Sequence, residues 1–176
     1  MYNNCEILLE GGSVKEDIRQ KTACFTGHRL IERDHVESVK ARTEIQIRQL
    51  ILKRGIRYFG VGGAIGYDTL VAEILFRLRD TDFPEIKIIL VYPFEGFESR
   101  WTDEQKATYA RLLSKYDKRV CIASTPSREA YLARDRHLVD HSSVCVSYCT
   151  RSIGGTAYTV RYAMSKGVEV TNIADG

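Results

Sequence analysis

From Thr22 to Ile173 the chain alternates short apolar runs with longer stretches of helical period, and this alternation constrains the fold more than any other feature. Residues 22–26 (TACFT) read as a strand ending at Gly27. Val36, Val39, Ile47, Leu50 and Ile51 recur at three- and four-residue steps, which predicts an amphipathic helix stopped by Gly55. Residues 57–62 form a second strand and 67–79 a helix with Leu70, Val71, Ile74, Leu75 and Leu78 on its apolar side. Residues 86–92 (IKIILVY) are almost wholly apolar, as in a strand buried on both faces.

Thr102 and Gln105 have capping-box spacing and open a helix to about Lys115. Strand 119–123 follows, and Thr125 with Pro126 reads as the N-cap and first residue of a helix to about Asp140. Strand 144–149, helix 156–166 closed by Gly167, and strand 168–173 complete the order. Strict strand–helix alternation implies an α/β fold, a Rossmann-like three-layer α/β/α sandwich with a mostly parallel sheet. Residues 21–176 are expected to form one domain. Residues 1–20 fall outside the alternation and read as an N-terminal extension, an edge strand or an arm.

Composition narrows the class. The 176 residues are 44% hydrophobic and 28% charged, enough to bury a core and unlike a disordered or coiled-coil chain. No apolar stretch approaches the roughly 18 residues of a membrane span. The first twelve residues lack a signal-peptide layout, so a cytoplasmic location without membrane partners is expected. The net charge of +3 is too mild to favour a nucleic-acid polymer as partner, while a local anion site stays open. Cys24, Cys121, Cys145 and Cys149 sit in apolar runs, where free thiols pack as small buried hydrophobes. No CxxC is present. His137 and His141 are four residues apart but lack a third ligand, so neither a metal nor another cofactor is expected.

In a parallel sheet the ligand sits beyond the carboxyl ends of the strands, so the residues that follow each strand matter most. These are Gly27-His28-Arg29, then Gly62-Gly63-Ala64-Ile65-Gly66-Tyr67-Asp68. After the third strand comes Pro93-Phe94-Glu95-Gly96 with Arg100 and Trp101, and after the fifth Ser152-Ile153-Gly154-Gly155-Thr156. Two glycine turns that each open a helix offer backbone N–H groups and a positive helix end to an anion. Arg29, Arg100 and Arg134 are suited to bidentate contact with phosphate or carboxylate. The P-loop motif, the dinucleotide GxGxxG and the GxSxG elbow are all absent.

These loops, with Ala72-Glu73, Arg134-Asp135-Arg136, Val139-Asp140 and Gly154-Gly155-Thr156-Ala157-Tyr158, resemble the YpsA-like branch of the SLOG superfamily. The match runs in order over nearly the whole domain. The resemblance implies a Rossmann-like pocket for a nucleotide or nucleotide-derived small molecule. SLOG relatives include phosphoribohydrolases, the DNA-uptake protein DprA and nucleotide-signal sensors. The phosphoribohydrolases carry PGGxGTxxE; here the last position is Thr159, and Asp135 stands where this branch usually has Asn.

A binding site is therefore expected with Gly62, Gly63, Gly66, Gly154, Gly155 and Thr156 around phosphate, and with Gly27 and His28 beside them. Arg29, Arg100 and Arg134 would neutralise charge, and Asp68 and Glu95 would accept from ribose or base. Trp101 and Tyr158 would stack on a base, or Trp101 would staple its loop to the core. An N-glycoside hydrolase or transferase acting on nucleotides is the alternative, with Glu73, Glu95 or Asp68 as its carboxylate. Asp68 and Glu73 lie about 140° apart around a helix and do not form a pair on one face. Single-stranded DNA binding of the DprA kind is a third reading. Exposed helices leave room for a homodimer.

Overall fold

The computed structural model describes residues 17–175. The strands are β1 (Thr22–Gly27), β2 (Tyr58–Val61), β3 (Lys87–Tyr92), β4 (Lys118–Cys121), β5 (Val144–Tyr148) and β6 (Glu169–Asn172). Between them run the helices α1 (Val36–Arg54), α2 (Tyr67–Thr81), α3 (Asp103–Leu113), α4 (Arg128–Asp140) and α5 (Gly155–Ser165). All six strands are parallel, in the order β4-β3-β2-β1-β5-β6.

Alternate residues of each strand feed two cores. Ala23, Phe25, Phe59, Val61, Ile88, Val144 and Val146 pack with α1, α2 and Leu112 of α3 on one face. Cys24, Val91 and Cys145 pack with Leu138 and Val139 of α4 and Ala163 of α5 on the other. Fully burying one such large side chain is worth roughly 1.5–3 kcal/mol, so helices on both faces are what keep this central sheet out of water. The first core reaches the loops through Tyr67, whose hydroxyl bonds Thr43 of α1 at 3.2 Å.

The elements expected from the alternation are all present, with shifted ends. α1 stops at Gly55, and Thr102 and Gln105 close a complete capping box on α3. α4 differs: its N-cap is Ser127, whose hydroxyl accepts from the Ala130 amide at 3.0 Å, so Thr125 and Pro126 lie before the helix. Cys24 and Cys145 are buried as expected, but Cys121 is exposed and Cys149 half-buried. Cys121 ends β4, an edge strand, and an apolar run does not distinguish edge from centre. Most of the expected N-terminal extension, residues 1–16, lies outside the described residues, and Ile18–Lys21 forms a short 3-10 turn leading into β1. No described helix is long and apolar enough to cross a membrane.

Candidate functional site

The strand order reverses between β1 and β5, whose registered pairs run from Ala23 with Val144 to Gly27 with Tyr148. The loops leaving these neighbours turn to opposite faces of the sheet, and a crevice must open between them. A cavity of about 430 Å³ lies there. Its walls come from the β1 loop, the α2 turn, the β5 loop with the start of α5, and one stripe of α4.

Local packing fixes the β1 loop. A Cβ at Gly27 would come closer than 3.0 Å to the Tyr67 ring, so only glycine lets that ring pass beneath the strand end. The Tyr67 amide donates to the His28 carbonyl at 3.1 Å. Gly66 has φ +80°, and a Cβ there would collide with the Arg29 backbone. The α2 turn is therefore closed by protein. On the other side the Thr150 amide donates to Nε2 of His28 at 2.9 Å, which places the proton of a neutral ring on Nδ1. Burial, then the charge of Arg151, holds the His28 pKa below its ordinary value. Its Nε2 lone pair is occupied, so His28 braces the two loops rather than standing free as a base.

The α5 turn is different. Gly154 has φ +110°, a Cβ at Gly154 or Gly155 would meet no other atom within 4 Å, and no side chain caps the helix among the described residues. Its first turn carries no acid. The free N–H groups of a helix start and its partial positive charge thus face the crevice. Arg161 holds the preceding loop through the Ser152 carbonyl at 2.9 Å. Thr159 donates back to the Gly155 carbonyl at 2.9 Å, so the place of the phosphoribohydrolase glutamate holds a hydroxyl satisfied within its own helix.

Arg29, Arg128, Arg134 and Arg151 line the cavity together with Asp68 and Asp135. Arg134 is engaged by protein: its Nη1 donates to the Gly62 carbonyl and its Nε to Asp135 at 2.7 Å. The Arg134 guanidinium and the Asp68 carboxylate converge over Gly62, where a Cβ would come closer than 3.0 Å to both. Burial pushes the Asp68 carboxyl up to about 6, against the opposing pull of Arg134 and of the Ala64 amide that donates to it at 3.1 Å. Tyr131 faces the cavity beneath the Arg29 guanidinium, 5.8 Å from its ring centre. Ile153 stands exposed at the mouth.

Of the residues expected at the site, Gly27, His28, Arg29, Asp68, Arg134, Gly154, Gly155 and Thr156 line this one cavity. Gly62 supports its floor from behind, and Gly66 packs on Arg29. Gly63 lies against Leu90, outside the crevice. Glu95 pairs with the Tyr92 hydroxyl in a separate hollow, and Glu73 pairs with Arg111 at 2.7 Å on the surface. Arg100 is exposed outside the lining. Trp101 packs edge-on against Phe97 and Tyr109, the stapling arrangement, and Tyr158 stacks on Tyr162 and accepts from Arg136. His137 and His141 stack on each other, their ring centres 4.1 Å apart, and no cluster of three or more metal-ligating side chains occurs among the described residues. Arg128, Tyr131, Asp135 and Arg151 are further polar side chains of the lining. Arg151 directly follows the β5 loop's Thr150, a signal lost when that loop is read from Ser152; the others needed the orientation of α4.

Fold and crevice together define a Rossmann-like domain with an arginine-lined crevice at its topological switch point. The chain belongs to the YspA SLOG family, whose profile matches residues 24–172. It is similar to a UPF0398 protein of Shouchella clausii, 31% identical over 52% of this chain and 48% of that one. A UPF0398 protein of Staphylococcus epidermidis is 27% identical over 72% and 71%. Among solved structures, DNA processing protein A from Streptococcus pneumoniae superposes with a TM-score of 0.62 at 16% identity, over 87% of this chain and 50% of that one. The same protein from Helicobacter pylori, described in its single-stranded DNA binding mode, gives 0.62 and 16% over 89% and 67%. At that identity the likeness is one of fold. The chain spans about half the length of the Shouchella relative and of the pneumococcal structure.

Proposed function

We propose that the crevice between β1 and β5 binds a nucleotide or nucleotide-derived small molecule, with phosphate at the start of α5. The observation that carries this reading is the uncapped, acid-free first turn of α5, open at Gly154 and Gly155 and facing a cavity with four arginines. A helix start satisfied by no side chain has its full share of N–H donors left for an oxyanion. Arg29, Arg128 and Arg151 supply the charge, since Arg134 already serves the Gly62 carbonyl and Asp135. A volume of about 430 Å³ suits a small molecule, not a polymer.

Binding is favoured over N-glycoside hydrolysis because Glu73 and Glu95 lie outside the crevice and the phosphoribohydrolase glutamate position holds Thr159, which leaves Asp68, bonded by the Ala64 amide, as the one candidate carboxylate of the three in the lining. The test is calorimetry with adenine and guanine mono-, di- and cyclic nucleotides and ADP-ribose, on wild type and Gly155→Asp. A carboxylate in the first turn favours the helix but repels phosphate, so folding and binding separate. The expected result is binding of one class by the wild type and loss of at least about tenfold in the variant, or 1.4 kcal/mol. Absence of binding across the panel, or unchanged affinity in the variant, overturns the reading.

A further inference from the structure

The far end of the same crevice is not built for phosphate. Asp68 and Asp135 both line it, and Asp68 is only 7% exposed. Each carboxylate gives one oxygen to protein, Oδ2 of Asp68 to the Ala64 amide and Oδ1 of Asp135 to Nε of Arg134. The remaining two oxygens have no hydrogen-bond partner among the described residues. No fully buried side-chain oxygen or nitrogen of the described residues lacks a partner, so the free Asp68 oxygen is one that reaches open space.

Two free carboxylate oxygens accept hydrogen bonds and cannot donate any. They repel a phosphate and match a ligand edge that presents two neighbouring donors. Resting on the nucleotide reading above, we propose that Asp68 and Asp135 read the ribose diol of a nucleoside 5′-phosphate, which lies with its phosphate toward α5 and its sugar toward α4. A 5′-phosphate and a 2′,3′-diol sit on opposite sides of the sugar, which places an anion at the positive helix start and donors at the acidic floor. An acidic residue plays the same part against the 2′-hydroxyl in dinucleotide folds, where a 2′-phosphate calls for arginine instead. Asp135 determines specificity here and does not merely orient Arg134.

The test compares adenosine 5′-monophosphate, its 2′-deoxy form and adenosine 2′,5′-bisphosphate, with the same three guanosine compounds, on wild type and Asp135→Asn. The asparagine carbonyl keeps the bond from Arg134, so a role confined to holding Arg134 predicts no change in selectivity. Wild type is expected to bind the 5′-monophosphate at least about fivefold tighter than the deoxy form and about tenfold tighter than the bisphosphate, because an acceptor left facing no donor, or facing an anion, is costly. In Asp135→Asn the preference over the bisphosphate is expected to fall to about threefold or less. Equal binding of ribose and deoxyribose forms, a dependence on guanine over adenine alone, or unaltered selectivity in the variant overturns the diol assignment while leaving nucleotide binding in place. No binding of any of the six compounds overturns the diol assignment, and the nucleotide reading falls with it only when the wider panel above is silent as well.

Discussion

The turn that opens α2 is filled by protein, whereas the turn that opens α5 is open to solvent. Gly66 presses on the Arg29 backbone, the first amide of α2 is taken by the His28 carbonyl, and Asp68 places a carboxylate in that first turn. At Gly154 and Gly155 a side chain would meet nothing, and α5 begins without an acid or a side-chain cap. Both are glycine turns at the carboxyl edge of one sheet, yet the first uses glycine for close packing and the second for access. A glycine-rich turn is thus evidence of backbone proximity to something, and only the surroundings say whether that something is protein or ligand.

The contrast breaks most readily at Gly66. Gly66→Ala forces a Cβ into the Arg29 backbone at a positive φ, and urea denaturation should show a loss of about 3 kcal/mol. A smaller effect is expected from Asp68. Its carboxyl, raised to about 6 by burial, holds its proton after the unfolded chain has released it. Stability should therefore fall as pH rises from about 4 to about 6, by an amount on the order of 2 kcal/mol, and stay level above that. Asp68→Asn should abolish this decline, and denaturation curves at several pH values check it. Gly155→Asp comes next: its tenfold loss of nucleotide affinity should occur at unchanged urea midpoint, the reverse of Gly66→Ala. The smallest effect belongs to His28. Its folded pKa lies below the ordinary value, so the stability it contributes is present at neutral pH and declines as pH falls below about 6.5. Protonation of Nε2 breaks the bond from Thr150, so the Thr150 amide resonance should follow that titration in NMR and cease to do so in His28→Asn.

Periodicity carries the elements and most of their order because the central strands are buried and the helices show apolar stripes. It does not give strand adjacency: that β1 lies beside β5, and so where the crevice opens, depends on which crossover leaves which face. The start of α4 falls later than its sequence suggests because Thr125, followed by proline, has the same capping chemistry as Ser127 two residues on. Arg134 is legible as a site residue, but not its bond to the Gly62 carbonyl, because that contact joins residues 72 apart in sequence. Asp68 is legible as a pocket acceptor and lines the crevice, but its bond from the Ala64 amide, which lies before the helix, is not. Trp101 leaves two readings open since an aromatic ring in a long loop packs on a base or on Phe97 with equal chemistry; only the partner decides.

The side chains of the crevice are unevenly drawn from the chain. Arg128, Tyr131, Arg134, Asp135 and Leu138 all reach it from α4, at the three- and four-residue steps of a single helical face. The groups that hold the loops together, Gly27, His28, Gly66 and Tyr67, lie on other segments altogether. Most of the charged and aromatic lining that α4 supplies is in this way separate from the turns that brace the loops. Substitutions at Arg128 or Tyr131 would therefore recast the crevice wall without disturbing those turns, whereas Arg134, on the same stripe, carries the Gly62 carbonyl and would not be free to change.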